Sequence, residues 1–476
     1  MTARWMVRGA LLVLLSFANL NLIWSPDVLP NTLFAWTLVQ SGNIDYDEFA
    51  SASGAPERPD RIDRDAYFFR GCGPVLRSRV VLMMLTTSPR SSGGPPPPQP
   101  GDHVCSIFPP GVALLALPIL VPAVLAGVPP SDVTTLLLLG HLAAAILEAI
   151  AALLLWSIVR RFVSARWSVA LVLLYFLATS VRTVGSQALW QHSGVHLAIA
   201  AALWLVLVDR PVSPRRELLA GLALGFGTVM RQTTAIVVPG IARRRTLLGT
   251  FAGFGVGIIP LLVYNAIAFA DPFEQGYGTK PFDTPALEGL YGLLLSPSRG
   301  FFIYTPYLAF AVAALVLAWR RRGEAARRLR GLSLAAGATL GLYATYTEWW
   351  GGRVFGSRFL DDLAPVLFAA LAWGIGHGLL SRPWARRVFW ITAGWSVVLF
   401  NAAALGYDQR WDTEPANVNF TPSRLMDWSD PQWLAVLRAL PDGGPRVFIA
   451  LLLSLGILAL VLRLEGVWPR RLSSDA

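Results

Sequence analysis

Long apolar runs separated by short polar connectors recur along the whole chain. Each run is about 17 to 25 residues, the length that a helix needs to cross the hydrocarbon of a bilayer. We therefore predict an all-α membrane protein, a single polytopic domain over residues 1–476, with about twelve transmembrane helices and a range of about eleven to thirteen. The predicted spans lie near residues 8–24, 133–158, 167–183, 188–208, 217–231, 233–242, 246–269, 301–319, 331–347, 361–381, 388–405 and 446–464.

The connectors carry the arginines, and these orient the predicted spans. Arg160-Arg161, Arg243 to Arg245 and Arg320 to Arg322 stand in short connectors, and short loops rich in Lys and Arg stay in the cytoplasm. This rule places both termini in the cytoplasm. The net charge of +11 then reflects orientation rather than a nucleic-acid partner, and 54% apolar with only 14% charged residues fits a membrane protein.

One further apolar run, residues 108–130, is assigned to the external side. Pro118 and Pro122 are expected to interrupt its hydrogen bonds. Counting it as a span would also put the Arg160-Arg161 connector outside. We expect an interfacial or re-entrant segment.

A large first external loop, residues 25–132, follows the first helix, and a second, residues 406–445, precedes the last span. The first contains an expected interfacial helix near residues 29–40 and a low-complexity insert at 91–101. The only two cysteines, Cys72 and Cys105, also fall there. In an oxidising exterior they are expected to form a disulfide, with two free thiols as the alternative.

Polar residues that are not cytoplasmic arginines concentrate on the external side. Ionisable groups near hydrocarbon are costly, so a functional role is expected. An acid would act as general base on an acceptor hydroxyl, cations would bind the phosphate of a lipid-linked substrate, and the remaining candidates would contact that substrate. The acids are Asp27, Asp45, Asp47 and Glu48; the cations are Arg231, Lys280, Arg299, Arg353 and Arg358; the remaining candidates are His192, Tyr277, Trp349 and Trp350.

Several motifs resemble one family of membrane enzymes. They are "SPDVLPNTLFAWTLVQSGNIDYDEF", "IFPPGVALLALP", "WQHSG", "SPSRGFFIYTP" and "WWGGRVFGSRFLDDLAP". The chain is similar in these stretches to the C-type (GT-C) glycosyltransferases that use polyprenyl-phosphate sugars, the group that contains protein mannosyltransferases and lipid A aminoarabinose transferases.

This resemblance implies sugar transfer from a polyprenyl-phosphate donor to a hydroxyl of a glycan, lipid or protein acceptor. It places the reaction on the external face of a bacterial-type inner (plasma) membrane. The family has an essential acid just after the first helix, where Asp27 stands. Where the family has Lys before Pro-Pro, this chain has Ile107-Phe108, so Lys280 or an arginine would take the phosphate. No cofactor is required by these motifs, a divalent cation stays open with its ligands unknown, and no nucleotide-binding motif is present.

Some candidate residues also have a structural explanation. Trp349-Trp350 could anchor the chain at the membrane interface. Asp27 could cap the helix expected near Leu29, and Arg231 could reach towards lipid headgroups. Asp361-Asp362 opens a predicted span, where acids favour the positive end of the helix dipole.

Two histidine patterns suggest other functions. His192 and His196 are four residues apart, which is a metal-ligand spacing on a helix, but no third ligand is evident nearby in the sequence. His141 and Glu148 are seven apart in the second predicted span, on one helical face. A buried acid with a histidine is typical of proton-coupled transport. A proton-coupled transporter or lipid flippase is therefore the alternative function.

Overall fold

The computed structural model describes residues 3–23, 25–51, 61–72, 102–208, 210–274, 276–277 and 281–467. This part of the chain is mostly helical with a few short strands, consistent with the predicted all-α class. Lys280 and the insert at 91–101 lie outside the described residues, so their predicted roles stay predictions.

Nine helices of the described residues lie before residue 258. They are α1 (Ala3–Phe17), α2 (Leu29–Trp36), α3 (Gly111–Leu125), α4 (Val133–Val159), α5 (Ala165–Leu177), α6 (Gln191–Val206), α7 (Pro214–Met230), α8 (Val237–Ile241) and α9 (Leu247–Gly257). Shorter 3₁₀ or π turns occupy Pro26–Val28, Thr37–Ser41, Val181–Gly185 and Gln232–Ile236.

The second half continues the helical pattern. Its helices are α10 (Ile259–Phe269), α11 (Ala286–Leu295), α12 (Phe301–Tyr304), α13 (Ala309–Trp319), α14 (Glu324–Thr345), α15 (Arg358–Asp361), α16 (Ala364–Gly376), α17 (Pro383–Gly406), α18 (Arg410–Thr413), α19 (Gln432–Ala439) and α20 (Gly444–Leu464). Short 3₁₀ turns occupy Pro306–Leu308, Pro422–Met426 and Leu440–Gly443.

Four helical segments of the described chain are long and apolar enough to cross a membrane. They are Val133–Val159, Leu247–Phe269, Pro383–Gly406 and Gln432–Leu464. The other apolar helices are shorter, such as Gln191–Val206. The structure therefore agrees with a membrane protein, while the number of about twelve spans and the orientation stay predictions.

The first helix and the 108–130 run differ from expectation in detail. Helix α1 begins at Ala3 and ends at Phe17, so Asp27 does not directly follow it. Helix α3 continues through Pro118 and Pro122; these residues lack an N–H and so remove two helical hydrogen bonds, as expected, without ending the helix. At 1.5 Å per residue α3 is about 22 Å long, less than the roughly 30 Å of bilayer hydrocarbon. That it does not cross stays a prediction.

The described part of the 25–132 segment packs onto the helices. Every residue of α2 is buried, and the Trp36 indole N–H donates to the Val128 carbonyl at 3.0 Å. The apolar side chains of Leu29–Trp36 pack against α3 and α4, and a position of the 29–40 segment at the membrane interface stays a prediction. The largest apolar core lies elsewhere, between α4, α5, α6, α13 and α16.

Four short strands in this loop were not predicted from the sequence. Strand β1 (Ala50–Ser51) pairs in parallel with β2 (Ile62–Asp63). Strand β3 (Phe69–Cys72) pairs antiparallel with β4 (His103–Ser106). The expected disulfide between Cys72 and Cys105 is present across this second pair, and it fixes two segments that are separated by 33 positions in sequence.

Candidate functional site

Charged side chains from distant parts of the chain meet at one end of helices α6 and α7. His192 is the second residue of α6, and Arg231 directly follows α7. Arg358 begins α15, and Asp362 directly follows it. We call these four residues together with Asp27 the arginine cluster. Only Arg358 and Asp362 are close in sequence, so the fold brings the cluster together.

The His192 ring lies at the centre of the arginine cluster. Its Nδ1 is 2.7 Å from Oδ1 of Asp362, and Arg358 donates from Nε to His192 Nε2 at 3.0 Å. Nη1 of Arg231 is 3.1 Å from Nε2 and 3.3 Å from Nδ1. At these distances an Nη1 in the ring plane would overlap Cε1, which lies between the two nitrogens, so this guanidinium lies against the face of the ring.

Arg231 is held on several sides. Its Nε is 3.3 Å from Oδ2 of Asp362, and its Nη2 donates to the Tyr343 hydroxyl at 2.9 Å. The guanidinium also lies over the Phe359 ring, 4.9 Å from its centre. These contacts fix its orientation by ion pairing, hydrogen bonding and cation–π attraction. They do not suit a side chain that reaches freely towards headgroups.

Asp27 is the more exposed of the two acids in the arginine cluster. It lies in the Pro26–Val28 turn, with 21% of its side chain exposed, and its Oδ2 is 3.4 Å from Nη1 of Arg358. It also accepts a hydrogen bond from the Tyr67 hydroxyl. No side-chain bond caps the start of α2, so the capping role considered for Asp27 is not seen.

The other acids of the first loop form a separate group. Asp47 contacts His103 Nδ1 at 2.5 Å, and Glu48 accepts from the Ser41 hydroxyl at 2.9 Å. Burial and then the charge of Asp47 raise the pKa of Asp45. Burial raises the pKa of Glu48, and the hydrogen bond to Asp47 raises the pKa of His103. These contacts connect none of the three acids to the arginine cluster.

Among the described residues, one set has ligand atoms close enough for a divalent cation. The ligand atoms of Asp45, Asp47 and His103 all lie within 4.8 Å of one another. Two carboxylates and an imidazole suit several divalent metals. Exposed acids are common without a metal, so we assign no metal to this set.

Arg299, expected to bind phosphate, is enclosed in a different ion pair. Its side chain is 1% exposed, and Nη2 lies 2.6 Å from Oδ1 of Asp412, which is 0% exposed. Nη1 donates to Gln432 at 2.8 Å, and Nη2 donates to the Gly352 carbonyl at 3.1 Å. A phosphate would have to displace Asp412 from this buried pair. We therefore correct the assignment of Arg299 from donor binding to a structural clamp on the 348–357 loop.

The two tryptophans of that loop are buried rather than available to a sugar. Trp349 is 2% and Trp350 is 7% exposed, and the Trp349 ring covers Gly292 so closely that a Cβ there would lie 2.5 Å from it. The Trp350 indole donates to Asn419 at 3.2 Å. Both expected roles, sugar stacking and interfacial anchoring, are corrected to packing, because the rings face protein. Arg353 is exposed.

Glycines let this loop turn back towards the cluster. Gly351, Gly352 and Gly356 have φ values of +74°, +82° and +75°, which other residues adopt only with strain. Gly351 presents its carbonyl 3.4 Å from Nη1 of Arg358. The loop thus forms one wall beside Arg358.

Tyr277 lies near the arginine cluster, and its contact with substrate stays a prediction. Its ring packs edge-on against Phe108 at 5.7 Å. Burial raises the pKa of Tyr277. The positive charges of Arg231 and Arg358 lower this pKa, and the negative charge of Asp27 raises it. These three charges therefore act on the Tyr277 hydroxyl, although no direct bond joins them among the described residues.

A second buried network lies one helical turn further along α6. His196 Nδ1 is 2.6 Å from Oε1 of Glu148, and its Nε2 is 3.0 Å from the Asp361 carbonyl. Tyr175 donates to the other Glu148 oxygen at 3.0 Å. His141 instead contacts the Ser16 hydroxyl at 2.9 Å. His141 and Glu148, considered together for proton transport, thus have separate partners.

Sequence reasoning missed the central role of Asp362 and the contact from Tyr67. In the sequence, Asp362 has a structural explanation as an acid that opens a predicted span, whereas nearby Arg358 is a candidate for phosphate binding. No pattern around Tyr67 distinguished it. No protein-family model, no curated protein and no solved structure matches this chain.

Proposed function

We propose that the chain is an integral-membrane glycosyltransferase that moves a sugar from a polyprenyl-phosphate donor to an acceptor hydroxyl on the external face. The supporting observation is the arginine cluster, in which two guanidinium groups stand side by side next to the partly exposed carboxylate of Asp27. That combination offers a phosphate site and a base together. The family resemblance of the motifs points the same way.

The two arginines are spaced to bind a single phosphate. Arg358 Nε and Arg231 Nη1 both lie within 3.1 Å of His192 Nε2, so the guanidinium groups are adjacent. Guanidinium groups bind phosphate oxygens with strong, directional hydrogen bonds. Their side chains are 14% and 15% exposed, which leaves an approach open. Asp362 is already engaged with His192 and Arg231, so it balances only part of the positive charge.

Donor binding would also prepare the base. Asp27 is held to Arg358 by a 3.4 Å contact, which is long for an ion pair. The singly charged phosphodiester of the donor competes with that carboxylate for Arg358. Once displaced, Asp27 has Tyr67 as its remaining partner and can accept a proton from an acceptor hydroxyl.

The reaction then balances as a single displacement. The acceptor oxygen forms a bond to the anomeric carbon while the bond from that carbon to the phosphate oxygen breaks. The electron pair of the broken bond stays on the phosphate, whose developing charge Arg231 and Arg358 stabilise. The hydroxyl proton passes to Asp27. No further reactant is required, since the phosphate already activates the sugar.

The transporter or flippase alternative has weaker support. Buried titratable groups that are connected to one another would favour a proton pathway. Glu148 and His196 form one such pair, but His141 is not part of it. His141 and Glu148 contact different partners, Ser16 and His196 respectively. The polar groups of the arginine cluster instead gather at helix ends.

The experiment uses the full-length protein in lipid nanodiscs. Binding of farnesyl phosphate is measured for the unmodified protein and for Arg231→Gln, Arg358→Gln, Asp27→Asn and Arg386→Gln, the last being an exposed arginine distant in sequence. We expect each cluster arginine variant to bind at least about tenfold more weakly, because each loses charge-assisted hydrogen bonds. The Arg386 variant should bind normally. The Asp27 variant should bind at least as tightly, because it lacks the carboxylate that competes with phosphate for Arg358.

Turnover is then measured with a panel of radiolabelled polyprenyl-phosphate sugars and membranes as acceptor. Asp27→Asn should lower turnover by about 10²- to 10⁴-fold, the usual contribution of a general base. Normal turnover in that variant would remove Asp27 as the base. Unchanged phosphate binding in both arginine variants would refute the proposed function, and substrate passage across proteoliposomes without transfer would favour the transporter.

A further inference from the structure

The two nitrogens of His192 face chemically opposite partners. Nδ1 is 2.7 Å from the Asp362 carboxylate, which can only accept a hydrogen bond when ionised. Nε2 is 3.0 Å from Nε of Arg358, which can only donate. The proton must therefore be on Nδ1, and Nε2 carries the lone pair. With a side chain that is 2% exposed, solvent does not compete for either nitrogen.

The face of the same ring supports a second cation. Nη1 of Arg231 is 3.1 and 3.3 Å from the two nitrogens, which places it above the ring plane. A neutral aromatic face attracts a cation, whereas a protonated imidazole would repel it. Both arginine contacts thus require His192 to be uncharged.

We propose that His192 is a positioning residue, a neutral imidazole that holds Arg231 and Arg358 side by side at the spacing of a single phosphate. This rests on the proposed function only in naming phosphate as the anion. Two guanidinium groups repel each other, so without a neutral acceptor between them they would separate. His192 was predicted to contact substrate, and this inference assigns it a role through the arginines instead.

The buried network behind the cluster holds this arrangement in place. Asp362 keeps the His192 proton on Nδ1, and the neighbouring Asp361 carbonyl accepts from His196 Nε2 at 3.0 Å. His196 is in turn bonded to Glu148, and both side chains are 0% exposed. Helix α6 therefore contacts Asp362 through His192 and Asp361 through His196. The turn that follows Arg358 is fixed in rotation as well as position.

The first test compares substitutions at His192 for binding of farnesyl phosphate in nanodiscs. His192→Phe keeps the ring but removes both nitrogens, and we expect at least about tenfold weaker binding. His192→Gln keeps an acceptor oxygen, and we expect recovery to within about threefold of the unmodified protein. His377→Phe is the matched control, because His377 is exposed and contacts Trp373. Equal affinity in the Phe variant and the unmodified protein would overturn the proposal.

The second test is read from the unmodified protein, and a variant serves only to assign the signal. Nitrogen-15 NMR of histidine-labelled protein reports the tautomer, and His192 is assigned by its loss in the Gln variant. We expect the Nδ1–H neutral form between about pH 6 and 8. A protonated Nε2 at pH 7 would overturn the proposal. If the unmodified protein fails to bind farnesyl phosphate, the proposed function fails, while the tautomer still decides whether His192 organises the two arginines.

Discussion

Replacing Arg299 by Met tests whether this arginine clamps the fold or binds the donor. The substitution removes the cation and leaves Asp412 in a site where it is 0% exposed. It also removes the bonds from Arg299 to Gln432 and to the Gly352 carbonyl. Met fills a similar length with apolar atoms, so the main change is the unpaired charge.

The expected cost follows from the burial of the pair. Breaking a buried ion pair by removing one partner costs about 3 to 5 kcal/mol. Asp412 keeps hydrogen bonds from Tyr407 at 2.5 Å and Gln432 at 3.0 Å, so we expect about 3 kcal/mol, the lower end of that range. Asp412→Asn alone should also destabilise, because it leaves Arg299 buried without a counterion. The double variant should recover roughly 2 to 3 kcal/mol of the summed loss.

The assay is equilibrium unfolding in mixed micelles by SDS titration, followed by tryptophan fluorescence. Farnesyl phosphate binding is measured on the same samples. We expect the Arg299→Met protein to be destabilised but to bind phosphate within about threefold of the unmodified protein, because Arg299 does not contact the arginine cluster. Unchanged stability together with lost phosphate binding would refute this reasoning and return Arg299 to the donor site.

Two further predictions concern other parts of the fold. Burial alone would raise the pKa of Glu324, but the hydrogen bond from Arg327 and nearby arginine charges lower it below 4.5. The stability that this acid contributes is therefore present above pH 4.5 and is lost as the pH falls through the lowered pKa. On acidification, the melting temperature of Glu324→Gln should fall less than that of the unmodified protein. An equal fall in the two proteins would contradict this. Gly289→Ala should lower the melting temperature, since the new Cβ would lie 1.8 Å from the Ala344 carbonyl oxygen. Gly337→Ala is the control and should not lower it, because the space around Gly337 is open. Equal melting temperatures of the two variants would show that α11 shifts freely.

The helical class follows from the sequence for a physical reason. Runs such as 133–158 contain enough consecutive apolar residues to form long helices, and the structure has Val133–Val159 there. Such patterns depend only on residues close in the chain. The pairing of Cys72 with Cys105 could also be predicted from the sequence, because only two cysteines exist. The short strands beside them depend on residues far apart in sequence and were not predicted.

The composition of the site was partly visible in the sequence, but its partners were not. Asp27 and Arg358 are both polar residues beside apolar runs, which marks each as a candidate. Their contact joins positions 331 residues apart, and no local pattern encodes that distance. The same local appearance also suggested Arg299, whose partner Asp412 the fold supplies 113 residues away.

The sequence by itself determined a helical membrane class and a set of polar residues near predicted helix ends, because hydrophobic periodicity and local charge are properties of neighbouring residues. Only the tertiary structure decided which of those residues meet. Packing of α6 against the turn at Arg358 brings His192 and Asp362 together, while packing of the 406–445 loop encloses Arg299 and provides Asn419 as the partner of Trp350. Long-range packing selects one set of partners from many that are locally equivalent, and that selection separates the proposed phosphate site from the structural clamp.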